Sequence, residues 1–186
     1  AKSPWMLTPH IVDFALFKGR NITHNWGTSP RLTQGYYLSV NQTRAENANT
    51  HQVFDFMDGF NDGTDTSGNY TGWLWKRGAG MDVVTYKGNS SSYNTNVINR
   101  QIRHSLGRVP EMMWIKDRSV SENWFAWHSG LNSGTTPEQW SMELNNTAAQ
   151  AQITYMHNTA PTATRFTVGT HGMVNGNTVS YTHLTL

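Results

Sequence analysis

The chain has 186 residues, no cysteine, and 14 Lys and Arg against 12 Asp and Glu, for a net charge of +2. The lack of cysteine excludes a disulfide framework, thiolate catalysis and cysteine-ligated zinc. The small net charge does not indicate a nucleic-acid partner. We expect no membrane insertion, because no apolar run approaches the roughly 20 residues of a membrane span.

The composition favours an all-β fold. Aromatic residues make up 12% of the chain, which argues against disorder, whereas charged residues make up only 14%. Tyr, Trp, Thr and Val suit strands, and Gly, Asn and Ser suit turns. No segment has sustained helical periodicity, so we predict short strands between turns, as in an antiparallel β-sandwich.

An internal repeat is the strongest pattern along the chain. Residues 13–26 align with residues 111–124 without a gap, and residues 38–43 align with residues 142–147 after six extra residues. In both copies an apolar run precedes a lysine, which predicts a buried strand, a turn and a returning strand. The identical pairs are Lys18 and Lys116, Arg20 and Arg118, Asn25 and Asn123, and Trp26 and Trp124.

Further strands are predicted at residues 72–76 (closing the first copy), 82–86, 139–144, 152–156 and 165–168. Turn-forming residues predict connectors at residues 59–68, 88–96, 132–137 and 158–164, and the seam between the copies near residues 77–80. We expect one alternating face of each strand to be buried, with Val84, Met112, Trp114 and Phe166 in the core.

A longer pattern resembles a known family. Residues 82–88 read Asp-Val-Val-Thr-Tyr-x-Gly, residues 104–118 read His-x-Leu-Gly-x-x-Pro-Glu-Met-Met-Trp-Ile-Lys-x-Arg, and Asn-Trp follows at residues 123–124. The pattern resembles a repeat of marine bacteriophage structural proteins, similar to the concanavalin A-like, laminin-G-like sandwich of tail fibres and virion appendages. The resemblance implies a jelly-roll β-sandwich in tandem repeats and supplies packing motifs but no catalytic residues.

The resemblance also implies a domain division. Residues 1–77 look like the C-terminal part of a first, diverged repeat, and residues 78–178 look like a second repeat without its closing strand. Residues 179–186 look like the translation of a sequencing-library adapter, so we expect a non-native tail, with a natural variant strand as the alternative. Together with the first residue, Ala1 rather than Met, this tail leads us to expect a piece of a longer protein.

The sequence contains no constellation typical of an enzyme. Glycosidases of the concanavalin-like type place paired carboxylates on one strand, whereas Glu143 stands alone in its segment. The eight histidines form no metal-binding pair, and we expect no cofactor. A weak calcium candidate lies at Asp58, Asp62 and Asp65, although a turn between strands is the simpler interpretation of this segment.

Two groups of residues are candidates for ligand binding. Arg100 and Arg103 belong to a basic stretch that could meet acidic sugars, with a solvated sheet edge as the alternative. Trp127 and Trp140 could stack on sugars, although core packing is the usual role of tryptophan. Alternation places Trp124 and Trp127 on opposite faces of one strand, so we expect one to be core and the other exposed.

These observations predict a structural or adhesion module of a phage virion, extracellular, that contacts host-cell polysaccharide and other virion proteins and forms a homo-oligomer. The alternative is a carbohydrate-binding, lectin-like module, and a polysaccharide depolymerase is less favoured. No enzyme activity is expected.

Overall fold

The computed structural model describes residues 4–49, 51–62, 69–87, 102–152 and 178–184, the last of these ranges as backbone only. The described part of the chain is all-β and contains strands and three short 3-10 helices, with no α-helix. No helix in these ranges is long and apolar enough to cross a membrane. The predicted fold class is therefore confirmed at the level of an all-β protein.

The described strands are β1 (Met6–Leu7), β2 (Phe14–Gly19), β3 (Gly27–Pro30), β4 (Tyr36–Ser39), β5 (Asn47–Ala48), β6 (Gln52–Val53), β7 (Gly59–Asp62), β8 (Tyr70–Trp75), β9 (Met81–Lys87), β10 (Met112–Asp117), β11 (Phe125–His128), β12 (Trp140–Glu143), β13 (Ala151–Gln152) and β14 (Thr178–Leu184). The 3-10 helices are Arg31–Thr33, Leu131–Gly134 and Pro137–Gln139.

The strands form three antiparallel sheets. The smallest has the order β1-β7-β6, and the two larger ones have the orders β5-β4-β3-β2-β8 and β13-β12-β11-β10-β14-β9. The first five strands of the six-stranded sheet therefore follow the same path as the five-stranded sheet, and β9 is added at one edge.

The two larger sheets also share a register. Phe14 of β2 pairs with Pro30 of β3, and Met112 of β10 pairs with His128 of β11, at the places where the sequence alignment puts them. The β2–β8 ladder and the β10–β14 ladder both run over the full length of their first strands.

The two larger sheets share an apolar layer, here called the inter-sheet layer. It contains two clusters with members from both sheets. One cluster consists of Phe14, Leu16, Trp75, Met81 and Val83. The other consists of Leu16, Leu38, Val40, Trp114, Trp124 and Leu144. Within this layer the Trp124 indole N–H donates to the Ser39 carbonyl at 2.9 Å, so a hydrogen bond also joins the two halves of the chain.

Both larger sheets are covered on their other face as well. The three-stranded sheet covers the five-stranded one, with Phe54 and Phe60 fully buried against Phe17. On the far face of the six-stranded sheet, Met113, Ile115, Phe125, Trp127 and Leu131 form a further cluster. Covering both faces explains why β2 and β10 contain few exposed positions.

Gly27 is required by the close packing of β3 on β2. A Cβ atom at this position would lie 2.2 Å from the ring of Phe17, far inside van der Waals contact. At the aligned place in the six-stranded sheet stands Phe125, paired with Ile115 rather than with an aromatic ring. The glycine therefore makes room for a larger partner.

Lys116 is fully buried at the end of β10. Its ammonium donates hydrogen bonds to the carbonyls of Asp117 and Val120, at 2.6 and 3.0 Å. Burial lowers the pKa of Lys116 below its ordinary value, and the carboxylates of Asp117 and Glu122 offset this only in part. The lysine closes the turn after β10 by satisfying carbonyls that would otherwise be buried without a donor.

Asp82 is fully buried on β9, next to the connection between the two larger sheets. Its carboxylate accepts hydrogen bonds from Arg77 Nε at 2.5 Å, the Val83 N–H at 2.8 Å and the Ser105 N–H at 2.6 Å. Burial favours the neutral acid, but the hydrogen bonds from Arg77 and Ser105 outweigh it and lower the pKa of Asp82.

Most of the predicted strands are confirmed where the structure describes them, but one segment was wrongly predicted. Residues 59–62, expected in a turn-rich connector, form β7 and pair with strands on both sides. Fully buried Phe60 explains the difference, because its burial outweighs the turn preference of the neighbouring Asp, Asn and Gly residues. The strand predicted at 165–168 and most of the one at 152–156 lie outside the described residues.

The prediction that one face of each strand is buried is confirmed, although the residues named for the core are not themselves the most buried ones. Val84, Met112 and Trp114 are half-buried, whereas their strand neighbours Val83 and Met113 are 0% and 2% exposed. Both faces of these strands are thus largely covered. Phe166 lies outside the described residues.

Residues 178–184 form β14, which pairs with β10 on one side and β9 on the other. In the six-stranded sheet β14 holds the place that β8 holds in the five-stranded sheet. The adapter origin of residues 179–186 stays a prediction.

The aligned tryptophans provide a test of the inter-sheet layer. Trp124 is 2% exposed and Trp26 is 36% exposed. We expect Trp124→Ala to lower the free energy of unfolding by about 3–5 kcal/mol, and Trp26→Ala to lower it by less, because a buried aromatic leaves a cavity. Urea denaturation of both variants measures the difference, and equal losses would contradict the assignment of Trp124 to the core.

The Asp82 carboxylate should make stability depend on acidic pH. Its pKa is lower folded than unfolded, so its stabilisation is complete above the unfolded value of about 3.9 and is lost as the pH falls through the folded pKa. Asp82→Asn should lower the free energy of unfolding by about 1–3 kcal/mol at pH 7, and it should flatten the dependence of stability on acidic pH. Chemical denaturation between pH 2 and 7 measures this pH dependence of stability. Asp58→Asn, at an exposed position, is the control. A pH dependence in Asp82→Asn equal to that of the wild type would contradict the role of this carboxylate.

Candidate functional site

Within the described ranges, no acidic residues come together as a metal-binding group. No set of three or more His, Asp or Glu side chains that could hold a metal ion occurs among the residues that the structure describes. Glu143 lies half-buried on β12 and accepts a hydrogen bond from the Asn146 side chain. The described residues therefore give no pair of carboxylates poised for acid–base chemistry.

The calcium candidates are only partly covered by the described residues. Asp58 is exposed and its carbonyl accepts a hydrogen bond from the Thr8 N–H at 2.9 Å. Asp62 ends strand β7, whose backbone is extended rather than looped. Asp65 lies outside the described residues. The calcium site therefore stays a prediction.

The predicted sugar-stacking tryptophans pack in the protein. Trp127 is 6% exposed, and its indole N–H donates to the Pro137 carbonyl at 2.8 Å. Trp140 is half-buried and packs against the same cluster as Trp127. The expectation that either Trp124 or Trp127 is exposed is wrong, because both faces of the six-stranded sheet are covered.

Of the two arginine candidates for ligand binding, only one lies in the described residues. Arg103 is exposed in the segment that leads to β10, and Arg100 lies outside the described residues. Arg103 and Trp140 therefore keep some accessible surface, and their role in ligand binding stays a prediction.

A different aromatic pair keeps accessible surface. Trp26 and Trp73 are 36% and 41% exposed, and their rings stack with centroids 5.4 Å apart and planes 25° apart. We call this pair, together with strand β8, the β8 surface. Two half-exposed indoles side by side form an apolar patch that is costly to leave in water.

Local structure fixes Trp26 in this place. Its backbone N–H donates to the Asn41 side chain at 2.9 Å, and Asn41 in turn donates to the Asn25 side chain at 3.1 Å. The Val40 N–H donates to the Trp26 carbonyl at 3.0 Å. The indole is thus held by its backbone while its ring remains accessible.

Strand β8 positions the other ring. Trp73 pairs with Leu16 across the β2–β8 ladder and lies on the same strand face as Trp75, which packs in the inter-sheet layer. At the start of β8, the Tyr70 hydroxyl lies 3.0 Å from His24 Nδ1, and this polar contact marks one end of the β8 surface.

The backbone of β8 adds a hydrogen-bonding edge to the aromatic pair. Asn69 and Trp75 direct their carbonyls toward β2, where they accept hydrogen bonds from the N–H groups of Arg20 and Asp13 at 2.6 and 2.8 Å. Because backbone groups alternate in direction along a strand, the N–H and C=O groups at residues 72 and 74 point away from β2. No described strand pairs with this side of β8.

The corresponding edge of the six-stranded sheet is protected. Met81 at the start of β9 exchanges backbone hydrogen bonds with Gly78, at 2.8 and 3.4 Å. The Val83 N–H donates to the carboxylate of Asp82 rather than to a strand. Edge strands that are capped in this way are poor templates for pairing with another chain.

The β8 surface can therefore bind through apolar contact and strand pairing rather than through charge or acid–base chemistry. No charged residue occurs between Tyr70 and Trp75. Sequence reasoning identified β8 as a closing strand but missed this surface, because it aligned Trp26 with buried Trp124. The uncharged aromatic run of β8 was the available signal.

Comparison with known proteins identifies a family for the chain. No curated protein matches the chain, and no solved structure does. A family model described as a domain of unknown function, DUF7483, matches residues 10–185, so the chain belongs to that family.

Proposed function

We propose that the chain is a non-enzymatic structural module of a phage virion appendage, extracellular, and built from a duplicated sheet-forming unit. The observation that carries the proposal is the repeated register of the two larger sheets. Proteins assembled from repeated units extend a fold by packing one unit against the next. The resemblance to phage structural repeats supplies the biological setting.

Matching side-chain contacts support the duplication. Lys18 donates to the carbonyls of Gly19 and Ile22 at 2.9 and 3.4 Å, and Lys116 caps two carbonyls at the aligned places. Polar contacts of this kind depend on chain path as well as on sheet order. Their recurrence supports a common origin of the two units.

The asparagine contacts recur in the same way. Asn41 and Asn145 both accept a hydrogen bond from the backbone N–H of the aligned tryptophan, at 2.9 and 2.7 Å. Each also donates to a second asparagine, Asn25 or Asn123, at 3.1 and 2.8 Å. The two units share this anchor even though their tryptophans differ in exposure.

In this proposal residues 1–77 are the C-terminal part of a first, diverged β-sandwich repeat, and residues 78–178 are a second β-sandwich repeat, both of the concanavalin A-like jelly-roll type. The boundary falls in the connection between β8 and β9, which links the two larger sheets. Because the inter-sheet layer draws on both units, each unit depends on the other for the burial of its inner face. The partners of the module are other virion proteins and further copies of itself.

Labelling of virions tests the proposed role. A phage whose genome encodes this sequence should bind antibodies against the purified chain at its tail or fibres, seen by immunogold electron microscopy. Antibodies pre-absorbed with the chain provide the control. Signal confined to infected-cell lysate, with none on purified particles, would contradict a virion role.

A second candidate is a carbohydrate-binding, lectin-like module that contacts host-cell polysaccharide. The observation that favours it is the accessible surface that Trp140 and Arg103 retain. A depolymerase is less favoured, because the described residues contain no paired carboxylates.

Glycan-array binding separates these candidates. An indole stacks on the apolar face of a sugar. If the module binds sugars through the predicted residues, Trp140→Ala should therefore weaken the binding free energy by about 1 kcal/mol, which is about fivefold in affinity. Arg103→Ala should also weaken binding to acidic glycans, whereas Arg20→Ala, an exposed arginine outside this basic stretch, is the control. Equal binding by all variants would contradict the assignment.

A further inference from the structure

We propose that the turn at residues 78–81 is a hinge, and that opening it lets the two halves of this chain pack on the halves of a second copy, as a two-fold domain-swapped dimer. Strands β1–β8 of the first half, residues 1–77, form the three- and five-stranded sheets. Strands β9–β14 of the second half, residues 78–186, form the six-stranded sheet. The proposal goes beyond the virion role and does not depend on it, because it concerns only how the halves pack.

Specific contacts join the two halves. Besides the inter-sheet layer, the Arg118 guanidinium forms an ion pair with the Glu46 carboxylate, with Nη2 2.6 Å from Oε2. The Glu46 N–H donates to the Arg118 carbonyl at 2.9 Å, and the Trp124 indole N–H donates to the Ser39 carbonyl at the same distance. Each half therefore needs a complementary half, which either its own chain or a second copy can supply.

The inter-sheet layer is built like the interface of a symmetric dimer. One of its clusters contains Leu16 together with Trp114, its counterpart in the sequence alignment. The same cluster contains Val40 together with its counterpart Leu144. An interface in which the same patch of two units meets itself is isologous, which is the pattern of two-fold homodimers. The layer is therefore of a kind that forms between separate chains as well as within one chain.

The connection between the halves is short and lies at the surface. Residues 76–80 are all exposed, and the backbone groups of Gly78 and Met81 exchange hydrogen bonds across a turn, at 2.8 and 3.4 Å. Ala79 and Gly80 occupy the two central positions, and neither has a positive φ, as in a type I turn. Opening the turn breaks these two hydrogen bonds and leaves the contacts between complementary halves available.

Arg77 holds the turn in its closed form. Its backbone N–H donates to the Asp13 carboxylate of the first half at 2.8 Å, and its Nε donates to the Asp82 carboxylate of the second half at 2.5 Å. These bonds favour packing of the two halves within one chain. The closed and the swapped form share their contacts between halves, so the conformation of the hinge and the protein concentration decide between them.

Two proline variants of the same turn test the hinge. Gly80→Pro places proline at the third position of the turn, where it forces the preceding residue out of the conformation that a type I turn needs. Light scattering should then give twice the chain mass of 21.0 kDa. Ala79→Pro places proline at the second position, which a type I turn favours, so this matched control should give 21.0 kDa at the same concentration.

Cysteine cross-linking distinguishes the exchange of halves from the association of intact chains, since the chain has no cysteine of its own. In the Gly80→Pro background, one chain carries Glu46→Cys and another carries Arg118→Cys, and the two are unfolded together, refolded and oxidised. A swapped dimer brings the two thiols together, because these positions contact each other between the halves. A covalent dimer with one chain of each kind should form, whereas the same mixture in the Ala79→Pro background should not form it.

Three outcomes would overturn the proposal. The first is a Gly80→Pro chain that stays monomeric over about a hundredfold range of concentration, or that circular dichroism shows to be unfolded. The second is a Gly80→Pro dimer that gives no covalent link between the two kinds of chain. The third is an Ala79→Pro chain that dimerises to the same extent as Gly80→Pro. None of these results changes the outcome of virion labelling.

Discussion

Leu16 packs against both clusters of the inter-sheet layer, and the rest of the fold depends on the apolar contact made there. With only 14% charged residues, the chain has little scope for stabilisation by ion pairs, so burial of apolar side chains must supply most of the stability. The layer draws on residues from β2 in the first half and from β9 and β10 in the second. The two halves are therefore parts of one core, although each builds its own sheet.

Polar groups that are buried around this layer determine how the sheets meet. Lys116 caps the turn after β10, Asp82 links β9 to Arg77 and to the segment before β10, and the Trp124 indole binds a carbonyl of the opposite sheet. Each is satisfied, and an unsatisfied group in a low-dielectric interior would cost more than a typical surface contact. Such contacts specify one arrangement of the sheets, where apolar packing alone would tolerate several.

Much of the strand pattern could be predicted from the sequence, because alternation and turn residues are local signals. For example, the alignment of the two copies puts six extra residues in a loop of the second unit. The structure places them between β11 and β12, in a connection where Asn132 and Ser133 have left-handed backbone conformations. The strand at residues 59–62 could not be predicted, since only tertiary burial of Phe60 overrides its turn-forming neighbours. The candidate site was missed for a related reason: alternation assigns side chains to faces but does not say which face another layer covers.

The two edges near the connection between the larger sheets differ in a way that the repeat does not explain. Gly78 and the side chain of Asp82 bind backbone groups at the start of β9, whereas the described residues give no such contact at Gly72 or Leu74 of β8, a strand without charged residues. Both edges come from the same short stretch of chain, so the difference lies in their residues rather than in their position. An unprotected apolar edge is a liability for a protein that must stay monomeric and an asset for one that assembles through that edge.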